Sequence, residues 1–205
     1  LIVLTHPHHD HFGGLIDVVK NYKIGVLVDN GFEHDTKQYQ VFKNELSDQK
    51  IQRIILREGD LIRYKDLILE MISPAANVSS VKTKDIHNNT IVILLKKDNF
   101  KGLFTGDINF KTEDSLERKY GDRLAATLLK VSHHGSNNST RASFLKLVDP
   151  EIAIIGVGKN NSYGHPKPAL LSRLKQVNAQ IFRTDENGTI KMVLENGRLK
   201  IATQK

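Results

Sequence analysis

Residues 5–14 read Thr-His-Pro-His-His-Asp-His-Phe-Gly-Gly and follow directly on the apolar run Leu1-Ile2-Val3-Leu4. Three imidazoles and a carboxylate (His6, His8, His11 and Asp10) thus stand within six residues, immediately after a segment that reads as a buried strand. Side chains alternate along an extended chain, so His6 and His8 fall on one side and can grip one ion. If the chain then turns, Asp10 and His11 can face a second. Four such ligands are more than one ion usually takes from a single segment. The expectation is therefore two divalent ions side by side, and hydrolysis by an activated water. His9 points away from His8 and is expected outside the ligand set. Gly13-Gly14 lets a helix begin close by without a Cβ clash.

Four later segments belong to the same argument. They are Leu103-Phe104-Thr105-Gly106-Asp107; Leu129-Lys130-Val131-Ser132-His133-His134-Gly135-Ser136 with Asn138-Ser139-Thr140; Val157 to Pro166, containing Tyr163-Gly164-His165-Pro166; and Arg183 to Ile190. With the first motif they resemble the metallo-β-lactamase fold, and within it the metallo-β-lactamase-like domain of ComEC-type competence proteins, from the first residue to about Val193. The resemblance implies an α/β, four-layer αββα sandwich. Several strands normally precede the histidine motif in that fold, so residues 1–205 are expected to form a single domain lacking its first strands. A signal, a membrane portion or a channel could lie upstream.

Asp107 follows an apolar strand and a Thr-Gly turn, and its two oxygens have lone pairs enough to bridge two cations. The resemblance makes His165 the last ligand, on the ion held by Asp10 and His11. The third ligand of the first ion stays open between His87 and one of His133 and His134. The Ser-His-His-Gly-Ser segment is expected to face the metals, one histidine near an ion and the other near the substrate. Asp10, His133 and His134 are the candidate catalytic residues, a histidine beside a leaving oxygen being able to donate a proton. Ser136, Asn138, Ser139 and Thr140 lie at an expected helix start, where amides and hydroxyls suit a phosphate or simply cap the helix. Lys159, Asn160 and Asn161 could line the mouth of the site. Ser136, Lys159 and Asn161 are the candidate substrate contacts.

The net charge of +7 suits a polyanionic substrate. No cysteine is present, which excludes disulfides, a thiolate metal site and a cysteine nucleophile. With 6% aromatics and no tryptophan, the composition argues against an aromatic stacking platform for single strands. No apolar run approaches membrane-spanning length. The reading is a dinuclear zinc or manganese hydrolase acting on phosphodiesters, DNA foremost, in a DNA-uptake context. If the parent protein is ComEC-type, the domain is expected at the extracytoplasmic face of the cell membrane; otherwise it is cytoplasmic or secreted. Three alternatives remain: a choline-phosphate-esterase-like phosphoesterase, a β-lactamase or thioester hydrolase, and a non-catalytic module.

Periodicity and turn residues predict helices over 12–20, 36–46, 111–120 (capped by Thr112), 140–148 (capped by Ser139 or Thr140) and 168–177. They predict strands over 24–28, 51–56, 60–64, 67–72, 90–95, 102–105, 128–131, 152–155, 180–183, 189–194 and 198–202. Residues 75–89 read as a polar connector. Asn187-Gly188 and Asn196-Gly197 read as hairpin turns.

Overall fold

The computed structural model describes residues 1–77, 86–195 and 197–205. Its elements in chain order are β1 (Ile2–Val3), α1 (His9–Asn21), β2 (Val26–Asp29), α2 (Lys37–Asp48), β3 (Gln52–Ile55), β4 (Leu61–Tyr64), β5 (Leu67–Ser73), β6 (Val92–Lys97), β7 (Phe100–Phe104), α3 (Phe110–Tyr120), β8 (Leu128–Lys130), α4 (Ala142–Val148), β9 (Ile152–Ile155), α5 (Pro168–Gln176), β10 (Gln180–Arg183), α6 (Thr184–Asn187), β11 (Thr189–Glu195) and β12 (Arg198–Gln204). Short 3₁₀ turns cover His87–Asn89, Gly121–Leu124 and Ser132–Gly135. The expected connector over 75–89 falls partly on residues 78–85, and one expected turn on Asn196, which lie outside the described residues. The chain divides into two compact units, Leu1–Asp60 with Met71–Val92, and Leu61–Glu70 with Ile93–Lys205.

The first unit carries a three-stranded sheet in the order β1-β2-β3. Both pairings are parallel, with Val3 opposite Val28 and Val28 opposite Ile54. Parallel neighbours need crossovers, and α1 and α2 supply them. Their apolar stripes form one core with the sheet: Phe12 and Val19 from α1, Tyr39, Phe42 and Leu46 from α2, and Leu4 and Leu27. The Phe12 ring stands edge-on to Tyr39 at 5.2 Å and stacks on Phe42 at 5.7 Å. Thr36 caps α2 by accepting from the Tyr39 N–H at 3.3 Å. The first helix begins at His9, three residues before the predicted start, so Asp10 and His11 sit in its first turn rather than in a preceding loop. Gly13 is inside that helix. A Cβ there would come within 3.1 Å of the His9 ring, so the glycine makes room for a side chain folding back.

The second unit is built on a seven-stranded sheet in the order β10-β9-β8-β7-β6-β5-β4. Strands β7 to β10 are mutually parallel, β6 is antiparallel to β7, and β4 and β5 form the expected hairpin. Fully buried Leu103, Leu129, Ala153 and Ile155 fill the inner strands, as both-face burial of a parallel sheet demands. Four parallel strands therefore end at one edge, and the loops leaving that edge are 105–109, 131–141, 156–167 and 184–188. The hairpin of β11 and β12 forms its own two-stranded sheet.

Three local expectations need correction. The cap of α3 is Asn109, whose side chain accepts from Lys111 N and Thr112 N, while Thr112 is buried one turn in. Neither Ser139 nor Thr140 caps α4. Thr140 N and Arg141 N, which precede the helix, donate instead to the carboxylate of Glu113 on α3, the second at 3.0 Å. Asn187-Gly188 is not a hairpin turn either. β10 runs parallel to β9, and residues 184–187 form a single helical turn that redirects the chain.

Candidate metal centre

In the first unit, β1 and β2 deliver their carboxyl ends side by side, Leu4 N donating to Val28 O at 2.8 Å. Ile91 N donates to Thr5 O at 3.0 Å, which brings the His87–Asn89 turn beside the histidine motif. The third imidazole at this point is thus His87. The ligand atoms of His6, His8 and His87 lie within 4.8 Å of one another. Ring centroids are 4.6 Å apart for His6 and His8, 4.7 Å for His8 and His87, and 5.7 Å for His6 and His87. The set suits a metal. Two nitrogens on one tetrahedral zinc lie roughly 3.4 Å apart, and His6 Nε2 and His8 Nδ1 are 3.1 Å apart. The Thr5 hydroxyl lies 3.1 Å from His6 Nδ1 and 3.3 Å from His11 Nδ1, orienting both rings from behind. Asp10 is exposed in the first turn of α1, with an oxygen 4.0 Å from His11 Nε2. His9 is exposed and stands edge-on to Phe12, away from these rings.

In the second unit, the ends of β7, β8 and β9 supply Asp107, the His133–His134 pair and His165. Asp107 is 2% exposed. Its Oδ2 lies 3.5 Å from His134 Nε2 and 4.0 Å from His133 Nε2. His134 Nδ1 is 2.7 Å from Gly156 O. A carbonyl only accepts, so that nitrogen carries the proton and Nε2 is left as a bare ligand atom. His133 and His134 have φ of 48° and 52°, a left-handed conformation rare for non-glycine residues and concentrated at functional sites. Gly135 follows at φ 88°, and a Cβ on it would stand 2.5 Å from the Pro166 side chain. Only glycine fits there. The turn is held by His133 N donating to Gly106 O at 3.1 Å and Lys167 N to Gly135 O at 2.9 Å.

The His133 and His165 rings are 6.1 Å apart, and Tyr163 stacks on His165 at 5.8 Å. His165 Nδ1 is buried and has no hydrogen-bond partner among the described residues, which suits a ligand atom. Burial, with the neighbouring His133 ring, Lys167 and His134, holds the His165 imidazole below its ordinary pKa and so in the neutral, ligating form.

The candidate substrate contacts are placed differently. Ser136 is buried, and its Oγ accepts from Asn138 N. Thr140 N and Arg141 N, just before α4, are taken by Glu113. Asn161 is turned onto its own loop, donating to Gly158 O and to His165 O and accepting from His165 N. Lys159 is exposed. Two residues escaped sequence reasoning. His34, on the loop leaving β2, has its ring 6.0 Å from that of His8. Lys130, at the end of β8, lies against Gly156 and donates to Val131 O; burial holds its ammonium below its ordinary pKa, Asp107 opposing. Strand ends were the available signal for both.

A family model described as the metallo-beta-lactamase superfamily matches residues 1–159. The chain is 31% identical over 196 residues to "ComE operon protein 3" of Bacillus subtilis, covering 95% of this chain and 24% of that protein. It is 28% identical to "Competence protein ComA" of Neisseria gonorrhoeae, covering 97% and 26%. With "Recombination protein 2" of Haemophilus influenzae the identity is 26%, covering 98% and 23%. The chain spans about a quarter of the length of these relatives. Among solved structures, CmlA, a diiron beta-hydroxylase from Streptomyces venezuelae, superposes with a TM-score of 0.56 at 9% identity, covering 88% of this chain and 42% of that one. That likeness concerns the fold. Sequence pattern, strand-end histidines and family match agree: the chain belongs to the metallo-beta-lactamase superfamily and is a relative of the ComEC-type competence proteins.

Proposed function

We propose that this chain is a metal-dependent hydrolase of phosphodiesters, with DNA as its substrate. The observation that carries the reading is the convergence of His6, His8 and His87 at the carboxyl ends of parallel strands, where open α/β sheets place their ligands. We assign these three histidines to one divalent ion. The family resemblance implies Asp10 and His11, and likewise Asp107 and His165, as further metal ligands. Bound zinc or manganese would supply Lewis acidity and an acidified water. His134, fixed by Gly156 O, keeps its bare Nε2 beside Asp107 as a further ligand atom. His133 is the group we assign to the leaving oxygen. The absence of cysteine narrows the donor set to imidazole and carboxylate, which suits both metals. The net charge of +7 favours a polyanion.

Two of the relatives are named for competence and for recombination. We infer for the parent of this chain a role in DNA uptake, with this part at the extracytoplasmic face of the membrane. Among the described residues no helix is long and apolar enough to cross a membrane.

The test is degradation of labelled single-stranded DNA by the chain loaded with Mn²⁺ or Zn²⁺, beside Asp107→Asn. Metal-dependent cleavage that falls at least about a hundredfold in the variant is expected. Turnover of a choline phosphoester or of nitrocefin, with DNA untouched, would replace the reading by that of another hydrolase of the fold.

A further inference from the structure

His34 belongs to no ligand set described above, yet the fold brings its ring within 6.0 Å of the His8 ring. Parallel β1 and β2 end together, and the loops leaving them are neighbours. The β1 loop carries His6 and His8; the β2 loop, residues 30–36, carries His34. That second loop is pinned at several points. Asn30 Nδ2 donates to Asn89 O at 2.9 Å, tying it to the turn that bears His87. Gly31 N donates to the Asp29 carboxylate at 2.7 Å, and Phe32 N to Asn30 Oδ1 at 3.2 Å. Phe32 is 1% exposed, and its carbonyl accepts from the Tyr39 hydroxyl. Two residues after His34, Thr36 caps α2. The histidine therefore sits on a short span held at both ends.

Its distance sets it apart from the ligands. The three imidazoles of the cluster have centroids 4.6 to 5.7 Å apart, whereas His34 stands 6.0 Å from His8, with ring planes at 73°, and outside the group of converging donor atoms. His34 Nδ1 is buried without a hydrogen-bond partner among the described residues, while the residue as a whole is half-buried. A buried N–H with nothing to accept it is costlier than a bare ring nitrogen, so the neutral ring carries its proton on Nε2. Of the nearby carboxylates, Glu33 is engaged by Lys43 and Arg53 and Asp29 by Arg53, while Asp35 follows His34 directly in the chain.

We propose that His34 is a substrate-binding residue, its Nε2–H donating to a non-bridging oxygen of a phosphate held beside the His6–His8–His87 cluster. The inference rests on the phosphodiester reading and names a group that recognises the phosphate.

The experiment titrates the full chain, first with Zn²⁺ or Mn²⁺ alone and then, metal-loaded, with inorganic phosphate, by calorimetry. Wild type is compared with His34→Phe, which keeps the ring and loses the donor, and His34→Gln, which keeps a donor. Circular dichroism checks folding of each. Phosphate affinity is expected to fall about tenfold in His34→Phe, the loss expected for one hydrogen bond to a charged group, and to stay within about threefold of wild type in His34→Gln. Metal stoichiometry and affinity are expected to be unchanged in both. Equal phosphate binding by wild type and His34→Phe overturns the proposal, as does wild type that binds no phosphate. A drop in metal stoichiometry in His34→Phe overturns it too, by making His34 a ligand. DNA cleavage by the same samples separates the two readings. Wild type that binds phosphate through His34 but cleaves no phosphodiester sinks the proposed function and leaves this inference standing.

Discussion

The side-chain amide of Asn161 donates to Gly158 O at 3.0 Å and to His165 O at 2.7 Å, and accepts from His165 N at 2.8 Å. All of this geometry fixes the backbone on both sides of a ring that carries a buried, unpartnered nitrogen. Asn161→Ala is therefore expected to lower metal-dependent turnover between about tenfold and a hundredfold, the range for losing a group that orients a ligand. Its cost in stability, read from urea denaturation, should stay near 1–2 kcal/mol, because the loop is partly solvated. Asn161→Asp, which keeps the acceptor for His165 N and loses the donors, should fall between. Turnover that is unchanged in Asn161→Ala would separate the loop from the chemistry. Residues such as His6 and His8 were legible from the chain because their relation is local: two positions apart on an extended segment. His87 stood only as one alternative beside His133 and His134, and His34 was not read at all, since each reaches the cluster only through strand pairing, Ile91 with Thr5 and β2 with β1. Asn161 was legible as a neighbour of the site but not in its role, because the partners of a side-chain amide depend on how the loop closes.

At the level of elements, the link between α3 and α4 shows what local pattern leaves out. Glu113 is fully buried, and its carboxylate holds the two amides that precede α4, a helix with no side-chain cap of its own. Arg141 Nε stands 3.6 Å from the same carboxylate, and Arg173 donates to Ser139 O and Thr140 O. This clamp grips the residues that follow the His133–Gly135 turn. Burial pushes the Glu113 carboxyl up to about 6 from its ordinary 4.5, against the amides of Arg141 and Thr140, which pull it down. The folded state thus binds the proton more tightly than the unfolded chain. This group's contribution is fully favourable below pH 4.5 and is lost as pH rises through 6, a change of about 2 kcal/mol. Glu113→Gln cannot titrate. The stability of the variant relative to wild type, from metal-free denaturation at pH 4.5 and at pH 7, should rise by about that amount between the two. A pH-independent difference would show that the carboxylate is not desolvated as its burial implies. Amphipathic periodicity placed α2, α3, α4 and α5 closely, but a carboxylate that holds an amide 27 residues away has no signature in sequence. The expected turn at Asn187-Gly188 failed for the related reason that a turn dipeptide does not say which strands it joins.

For the whole molecule, the order of segments was legible because each chemistry-bearing motif follows an apolar run. The pairing of those runs was not, since period-two alternation is silent about neighbours and direction. Within each unit taken by itself, the histidines stand where parallel strands end, and this follows from topology rather than from spacing. Net charge is the other property that belongs to the chain entire. An excess of seven cations makes association with a polyanion an electrostatic event, in which each neutralised phosphate releases counterions. Asp107→Asn, chosen so that the strand survives, should bind a single-stranded oligonucleotide less tightly as salt rises. For about three phosphates contacted, the loss between 50 and 200 mM is on the order of tenfold or more. Fluorescence anisotropy over that range measures the slope. A flat response would mean that the positive charge is solvated at large and that recognition is confined to the reacting phosphate. In that case a small phosphoester becomes the better substrate than DNA.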